Sequence, residues 1–323
     1  MRKTIYIEKD LLDDPILAAR VDKCLFSFRD PRVIYCDSYQ EIFSRKQQNF
    51  RLQKQNPALI LAKKRKEFLH AIPEKFGIGS KNSYYFSHLF NCPFDCSYCF
   101  LQGMYSSAHF VWFINYEDFQ NAIDQKGEGH FFSGYDGDSL ALEKTTGFLH
   151  HFLPFFAKRP QSLLEVRTKS AYIKPFLCTD PIANCVIAWS LNPENIIRLL
   201  EKKTASLEKR LQAMEKVAEK GWKIGLRFDP LMYQKDFLPH LDQLFQEVFT
   251  RVQERSIHSV TLGSFRVPKS YLKLLKKNTQ DPRIFAGTHL EGNTLKSLWE
   301  NECIKKAQER LENYIPKEKL FVI

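Results

Sequence analysis

The sequence predicts an α/β protein whose parallel strands form either an open sheet or a partial (β/α)6 barrel of the TIM type. Short apolar segments alternate with amphipathic ones between residues 84 and 263, as in folds where helices connect parallel strands. Polar residues follow directly after each apolar segment, at the edge where such sheets carry their chemistry. A mostly helical region over 1–80 precedes this core of 81–265, and a short extension over 266–323 follows it.

Length, composition and net charge limit the classes of protein to which this chain can belong. The chain has 323 residues, 44% of them apolar, which is enough to bury a sizeable core. Its net charge of +11 favours a polyanion such as DNA as partner. No apolar run approaches the roughly 18 residues of a membrane span, and the first residues lack a signal peptide's apolar segment. Eight cysteines without a disulfide framework indicate a reducing cytoplasm.

The elements follow from spacing along the chain. Residues 39–69 are rich in Lys, Arg and Gln with apolar residues at helical intervals, which predicts helix. The basic run at 63–66 is then either a solvated helix face or a patch that contacts phosphates. A last helix is predicted over 295–314, with Trp299 in the core. The core strands are predicted at 84–89, 130–134, 163–168, 184–190, 222–228 and 257–263, and its helices at 116–125, 140–158, 206–220 and 237–254.

A cysteine motif follows the first core strand. Cys92, Cys96 and Cys99 have C-x3-C-x2-C spacing, and three thiolates so close can bind three irons of a [4Fe–4S] cube while the fourth iron stays open to a small molecule. The alternatives are a zinc site completed by His88 or another cysteine and three cysteines that merely fill a core. Zinc knuckles usually pair C-x2-C units in small domains, whereas this chain is large. The open-iron cluster is therefore the favoured interpretation.

Polar residues at successive strand ends should line one cavity beside this motif. The cations Arg167 and Lys169 stand at the end of the third strand, where they suit a bound carboxylate or phosphate. Structural roles are the alternative, because Arg167 or Lys169 could pair with Glu165 or Asp229, and Asp138 could cap a helix. In chain order the candidates are Tyr135, Asp138, Arg167, Lys169, Ser190, Asp229 and Arg266.

These motifs resemble the radical S-adenosylmethionine (SAM) superfamily and, within it, the spore photoproduct lyases. The cysteine spacing, with Tyr98 between the last two cysteines, carries the first resemblance. The second spans about residues 60–270 and rests on the segments 61–65, 99–102, 138–140, 168–169, 190–192 and 229–233. The resemblance implies a partial barrel of the radical SAM type with two cofactors, a [4Fe–4S] cluster and SAM.

The resemblance also implies an activity, that of a carbon–carbon lyase in DNA repair. In that family an electron cleaves SAM to a 5′-deoxyadenosyl radical, which abstracts hydrogen from C6 of a thymine dimer, the spore photoproduct. The bond between the two thymines then breaks, and a hydrogen atom is returned to the product. The implied partners are lesion-containing DNA and an external electron donor such as flavodoxin or ferredoxin, with no membrane partner.

Matched position by position, the resemblance assigns roles to single residues. Lys169 and Ser190 match positions that contact SAM, with Lys169 at the SAM carboxylate, and we add Asp138 and Asp229 to the cofactor-binding set. Tyr98 matches a tyrosine that relays hydrogen, and we expect it to be both catalytic and cofactor-binding. The cluster ligands would be Cys92, Cys96 and Cys99.

The chain departs from the family pattern in its hydrogen-return half. Tyr135 occupies the place of the family's hydrogen-donor cysteine and is our second catalytic candidate, while Phe100 replaces a second tyrosine. The basic-aromatic hairpin that enters damaged DNA is not evident around 283–287. Two other interpretations therefore stay open: a radical SAM enzyme acting on an RNA base or small molecule, and a basic nucleic-acid-binding protein whose cluster is structural.

Overall fold

The computed structural model describes residues 2–233 and 236–323, without the side chain of Lys75. Strands and helices alternate along most of this length. The strands are β1 (Thr4–Glu8), β2 (Arg32–Cys36), β3 (Leu59–Ala62), β4 (His70–Ala71), β5 (Ser83–Phe86), β6 (Leu89–Phe90), β7 (Asp95–Cys96), β8 (Phe110–Phe113), β9 (Gly129–Ser133), β10 (Ser162–Thr168), β11 (Cys185–Ser190), β12 (Glu201–Lys202), β13 (Lys223–Leu231), β14 (Ile257–Ser264), β15 (Arg266–Pro268), β16 (Thr288–Glu291), β17 (Thr294–Ser297) and β18 (Leu320–Val322).

The helices connect these strands and cover the sheets. Within the described residues, none of them is long and apolar enough to cross a membrane. They are α1 (Pro15–Phe26), α2 (Tyr39–Phe43), α3 (Phe50–Gln55), α4 (Leu101–Met104), α5 (Tyr116–Lys126), α6 (Glu143–Thr146), α7 (Phe148–Ala157), α8 (Lys174–Leu177), α9 (Glu194–Leu200), α10 (Leu207–Glu219), α11 (Phe237–Arg251), α12 (Leu272–Asn278) and α13 (Glu300–Leu311).

The principal sheet has eight strands in the order β18-β14-β13-β11-β10-β9-β5-β4. Its six strands from β5 to β14 are those predicted from the sequence, and every neighbouring pair among them is parallel. Strand β18 adds in parallel beside β14, and β4 adds antiparallel beside β5. The sheet curls into a half-barrel, which confirms the predicted partial barrel.

Side-chain alternation makes the interior of this half-barrel polar. Successive residues of a strand point to opposite faces, so Leu164 and Val166 of β10 lie on one face and Glu165 and Arg167 on the other. The apolar face packs under helices, and the contacts of α7 with β10 belong to that layer. Arg167 faces a cavity instead. The interior of the barrel is therefore available for chemistry.

The N-terminal region is not mostly helical, and the helix predicted over 39–69 is wrong in part. Helices α2 and α3 are short, and β3 lies between β1 and β8 in a five-stranded sheet of order β2-β1-β3-β8-β6. All four residues of β3 are buried, as in a parallel strand covered on both faces. Pro57 separates α3 from β3, because proline disfavours helix in the residue before it.

The C-terminal extension returns to the principal sheet through β18 and helix α13. The helix predicted at 295–314 begins only at Glu300, because the preceding residues form the antiparallel hairpin β16–β17, which turns at Gly292 with φ +58°. Trp299 is half-buried and stacks on Tyr233 at 4.2 Å between ring centroids. Arg283 and Phe285 lie in a 3-10 turn before this hairpin. The division into 1–80, 81–265 and 266–323 stays a prediction, although β6 and β8 pair within the N-terminal sheet.

An aromatic cluster joins the principal sheet to helices α5 and α7. The buried ring of Phe152 packs against Phe86 of β5 at 5.3 Å, Phe148 at 4.5 Å and Tyr116 at 5.6 Å between centroids. Buried aromatic side chains contribute strongly to stability through the large apolar area that they remove from water. This cluster therefore fixes the helices against the strand that leads into the cysteine motif.

We expect Phe152→Ala to lower the free energy of unfolding by about 3–5 kcal/mol, because the cavity it leaves cannot close fully. Denaturant unfolding measures this change. The matched control is Phe26→Ala, since Phe26 ends α1 and is 95% exposed, so its loss should change stability by no more than about 0.5 kcal/mol. Equal effects of the two substitutions would show that this cluster does not hold the sheet.

Candidate active site

A cavity of about 620 Å³ opens at the carboxyl ends of the principal sheet. This is the edge at which the polar strand-end residues were expected to meet. The structure brings them together, whereas their individual roles stay predictions. All of the residues predicted for the site line this cavity, namely Cys92, Cys96, Tyr98, Cys99, Tyr135, Asp138, Lys169, Ser190 and Asp229.

Hydrogen bonds to backbone carbonyls hold the cysteine loop, residues 91–105, in shape. Lys54 Nζ, from α3, donates to the carbonyl oxygens of Cys92 and Phe94 at 2.8 Å each. Gln102 Nε2 donates to the carbonyl of Cys96 at 2.6 Å. From the other flank, Thr279 Oγ1 donates to the carbonyl of Ser97 at 2.7 Å. The loop is thus fixed from both the N-terminal and the C-terminal parts of the chain.

The three thiols of this loop suit an iron–sulfur cluster with one open iron. Burial raises the pKa of Cys92, Cys96 and Cys99, so a metal is needed to keep them as thiolates. In the described part of the chain, no three His, Cys, Asp or Glu side chains converge on one metal ion. A cube does not require that convergence, because each cysteine binds a different iron. The donor set and the adjoining cavity therefore fit a [4Fe–4S] cluster.

A buried carboxylate, Glu201, lies beneath the cysteine loop. Arg210 Nη2 donates to it at 2.5 Å, Asn192 Nδ2 donates at 3.1 Å, and the Tyr98 hydroxyl also donates to it. Burial alone would lower the pKa of Lys169, but Glu201 and nearby cysteines outweigh that effect and raise it. Glu201 thus holds Tyr98 by its hydroxyl. Lys169 stays charged, and its Nζ lies 5.8 Å from the centre of the Tyr98 ring.

Asp138 holds two strand ends together. Its Oδ1 accepts from the Leu140 amide at 3.0 Å and from Thr168 Oγ1 at 2.8 Å, and its Oδ2 accepts from the Lys169 amide at 2.6 Å. The structural alternative for this residue, a helix cap, is not observed, because helix α6 begins only at Glu143; Asp138 instead organises the turn that follows it and fixes the backbone of Lys169. Asp138 is therefore positioned to orient Lys169.

The other two cofactor-binding candidates differ in their partners. The Ser190 carbonyl accepts from Arg210 Nη1 at 2.8 Å, and the residue lines the cavity. Asp229 forms an ion pair with Arg266, at 3.1 Å between Oδ1 and Nη1. A pairing of Asp229 with Arg167 or Lys169, which the sequence had left open, is not the one observed.

Tyr135 belongs to an aromatic wall of the cavity, which it forms with Tyr85 and Phe100. Its ring stacks on Tyr85 at 4.3 Å and lies 5.2 Å from Phe100, both between centroids. Tyr135 is 38% exposed and lines the cavity. Gly134 precedes it at φ +92°, and a Cβ there would lie 2.9 Å from the Arg167 carbonyl. Only glycine lets this turn pack so closely against β10.

A layer of charged residues closes the barrel below the cavity. The carboxylate of Glu165 accepts from Arg167 Nε at 2.6 Å and from Arg227 Nε at 2.9 Å, and its Oε2 lies 2.8 Å from His130 Nε2. Burial would raise the pKa of Glu165, but the two guanidiniums and His130 outweigh it and hold the pKa well below its ordinary value. The predicted alternative of an Arg167–Glu165 pair is therefore observed.

Two other candidates lie away from the cavity lining. His88, the alternative zinc ligand, is buried and stacks on Phe148 at 4.1 Å between centroids. The basic run at 63–66 is not helical, and Lys64 within it is buried against the rings of Phe90 and Phe113. Lys64 is therefore unavailable to a phosphate on the surface.

Glu201, Arg210 and Asn192 were missed by sequence reasoning. One signal was present, since Arg210 falls within the apolar stripe of α10 beside Leu211 and Met214. An arginine in such a stripe indicates a buried anionic partner. Nothing in the sequence near β12 identifies that partner as Glu201, because the contact joins residues of different elements.

Comparisons with known proteins agree on one family. A family model described as spore photoproduct lyase matches residues 79–296. The spore photoproduct lyase of Bacillus subtilis (strain 168) is 22% identical over 196 residues, and that of Clostridium acetobutylicum is 22% identical over 200. These alignments cover 58% and 59% of this chain but 57% and 60% of the relatives. The matched region thus spans less than two thirds of the relatives' length.

Solved structures of spore photoproduct lyase share the fold. A mutant with bound AdoMet and dinucleoside spore photoproduct has a TM-score of 0.83 at 18% identity, over 100% of this chain and 98% of that chain. A second structure, complexed with dinucleoside spore photoproduct, has a TM-score of 0.81 at 17% identity over the same shares. At this identity the likeness shows the fold alone.

We expect Arg210→Met to destabilise the protein by about 3–5 kcal/mol, because it leaves the Glu201 charge buried without its closest cation. Denaturant unfolding and the iron content after reconstitution both test this, and we expect the iron content to fall. The matched control is Arg251→Met, whose ion pair with Glu208 is exposed, so a far smaller effect is expected. Unchanged stability in Arg210→Met would contradict a structural dependence on the Glu201 ion pair.

Proposed function

Because this chain belongs to the spore photoproduct lyase family, we propose that it is a radical SAM lyase that repairs a thymine lesion in DNA. The observation that carries this proposal is the cavity, where the thiols of the cysteine loop, Lys169, Ser190 and Tyr135 all meet. The bound AdoMet and dinucleoside spore photoproduct of the similar mutant structure support the same pair of ligands here.

Cys92, Cys96 and Cys99 would bind a [4Fe–4S] cluster whose fourth iron is open to SAM. When bound, the cluster supplies the electron that cleaves SAM to the 5′-deoxyadenosyl radical. Lys169 would bind the SAM carboxylate, since its ammonium is charged and lies near Glu201 and the thiols. Asp138 fixes the Lys169 backbone, and Ser190, Asp229 and Tyr98 complete the walls of the SAM site.

The aromatic wall would bind the lesion and return its hydrogen. The lesion loses hydrogen from C6, and the bond between its thymines then breaks. The Tyr135 hydroxyl gives a hydrogen atom to the resulting carbon radical, because it lines the cavity at the position of the family's donor cysteine. The phenoxyl left on Tyr135 then takes one electron from the external donor and a proton from solvent. Phe100 beside it has no hydrogen to donate.

Charge and cysteine chemistry support the partners and compartment of this proposal. The net charge of +11 favours binding to DNA by release of counterions. The one-electron reductant would be an external protein such as flavodoxin or ferredoxin. All eight cysteines are free thiols, and Cys178 among them is exposed, which suits a reducing cytoplasm.

A second candidate function is radical SAM chemistry on a different substrate, an RNA base or a small molecule. The observation that favours it is Tyr135 in the donor position, with Phe100 in place of a second tyrosine. These changes alter residues proposed to contact the substrate, whereas the cysteines and Lys169 proposed to bind the cofactors are retained.

The test of the main proposal uses cluster-loaded protein, dithionite and SAM, with and without spore-photoproduct DNA. We expect slow 5′-deoxyadenosine formation alone and faster formation with lesion DNA, which is converted to thymines; chromatography measures both. Lys169→Met should bind SAM about 10- to 100-fold more weakly, as for loss of a charged hydrogen bond, whereas Lys174→Met, at an exposed site in α8, should not. Cleavage of SAM with the lesion untouched would favour the second candidate.

The role of Tyr135 has its own test, a repair reaction in D2O. Its hydroxyl exchanges with solvent, so the repaired product should gain deuterium, detectable by mass spectrometry. We expect Tyr135→Phe to remove the label while 5′-deoxyadenosine still forms. The control is Tyr172→Phe, since Tyr172 lies outside the cavity lining. If the Tyr135→Phe variant still gives fully deuterated product, another group returns the hydrogen.

A further inference from the structure

Arg167 is a cation in the cavity that the proposed chemistry does not use. It lies on the inner face of β10, and its guanidinium carbon is 3.8 Å from the centre of the Phe132 ring. Its Nε donates to Glu165, and its side chain is 23% exposed where it lines the cavity. The residue is thus held in one orientation from below while part of it faces open space.

Arg167 shares its carboxylate partner with a second arginine. Glu165 is the carboxylate partner of both Arg167 and Arg227, and Arg227 is fully enclosed, with further donations to the carbonyl and hydroxyl of Ser259. Of the carboxylates that line the cavity, Asp229 is paired with Arg266, and Asp138 accepts from Thr168 and the Lys169 amide. Among the described residues, Glu165 is therefore the carboxylate that Arg167 has to share with Arg227. An unmatched charge in a partly buried site is costly, and binding an anion would offset that cost.

Arg167 also retains hydrogen-bond donors for that anion. In the described part of the chain, only its Nε has a protein acceptor, and neither Nη group donates to any residue. A guanidinium presents its donors as a planar fork, which matches two oxygens of a phosphate. Phe132 and Glu165 fix the plane of this fork, so little side-chain freedom remains to be lost on binding.

Arg167 and Lys169 have different neighbours in the cavity. Lys169 is close to Glu201 and the thiols, where SAM is proposed to bind. Arg167 lies against Phe132, and Phe132 is 6.5 Å from Tyr135 between ring centroids. Tyr135 in turn stacks on Tyr85 and approaches Phe100. Exposed aromatic faces beside a cation suit a nucleobase and its phosphate.

We propose that Arg167 binds a phosphate of the substrate, on a deoxynucleotide whose base packs against Tyr135. This inference rests on the proposed function, because it specifies the substrate of the same cavity as a phosphate-bearing nucleotide. It makes Arg167 a substrate-binding residue that distinguishes a nucleotide from a nucleoside. It also separates the anion site for substrate from the Lys169 site for SAM.

The test is equilibrium binding to cluster-loaded protein with SAM and without reductant, so that no turnover occurs. The probes are thymidine, thymidine monophosphate, the dinucleoside spore photoproduct, and the same lesion with its internal phosphodiester. We expect each phosphate-bearing probe to bind about 10- to 100-fold more tightly than its phosphate-free counterpart. Arg167→Gln should abolish that preference, and Arg167→Lys should restore part of it. The pair of thymidine and thymidine monophosphate tests a free nucleotide as the source of the phosphate, and the pair of lesion probes tests a DNA backbone.

The matched control is Arg159→Gln. Arg159 also lies over a phenylalanine, at 3.5 Å from the centre of Phe155, and also pairs with a carboxylate, that of Asp124, but it is outside the cavity. Arg159→Gln should keep the phosphate preference. Arg167→Gln should keep its fold and its SAM affinity, because Glu165 retains Arg227 and His130; thermal unfolding and SAM binding check this.

The outcomes separate this inference from the proposed function. If the wild-type protein binds nucleosides and nucleotides equally, or if Arg167→Gln keeps the preference, the inference is overturned, whether or not the lesion is repaired. Loss of SAM affinity in Arg167→Gln with the phosphate preference intact would also overturn it. If thymidine monophosphate shows an Arg167-dependent preference but neither lesion probe binds, the inference stands and the lesion is the wrong substrate.

Discussion

The structure of the candidate site depends on one buried anion, the carboxylate of Glu201. Glu201 directly follows α9. Its carboxylate accepts hydrogen bonds from Arg210 of α10 and from the Tyr98 hydroxyl within the cysteine loop. A buried carboxylate requires such partners, because an unpaired charge in the interior is costly. The same requirement connects two helices, one strand end and the cysteine loop, and it supplies the negative charge that keeps Lys169 protonated.

A second carboxylate, Glu165, organises the other half of the barrel in the same way. The cations that pair with Glu165 are Arg167 of β10 and Arg227 of β13, and both project into the interior of the barrel. An apolar residue at either place would fill space without binding anything. Each carboxylate thus has a cation of the cavity lining beside it, Lys169 near Glu201 and Arg167 bonded to Glu165. This polar interior is compatible with the two different ligands proposed for the cavity.

The partial barrel could be predicted because its strands are local patterns, short apolar runs with polar ends. The cysteine spacing and the strand-end residues are equally local, so every predicted site residue lines the cavity. The strand β3 was mistaken for helix, because a buried run such as LILA has no periodicity of its own. Glu201 was missed for another reason: Arg210 and Asn192 are nine residues away but lie outside its own element, and Tyr98 is 103 residues away, so only the folded chain brings these partners together. The hairpin β16–β17 likewise lacks a strong local signal beyond Gly292.

The hydrogen bonds that shape the cysteine loop end on backbone carbonyls, those of Cys92, Phe94, Cys96 and Ser97. None of these four bonds involves a thiol of the loop. If the loop binds the proposed iron–sulfur cluster, these bonds would remain after oxygen destroys the cluster. The protein would then regain its cluster by binding fresh iron and sulfide, without refolding.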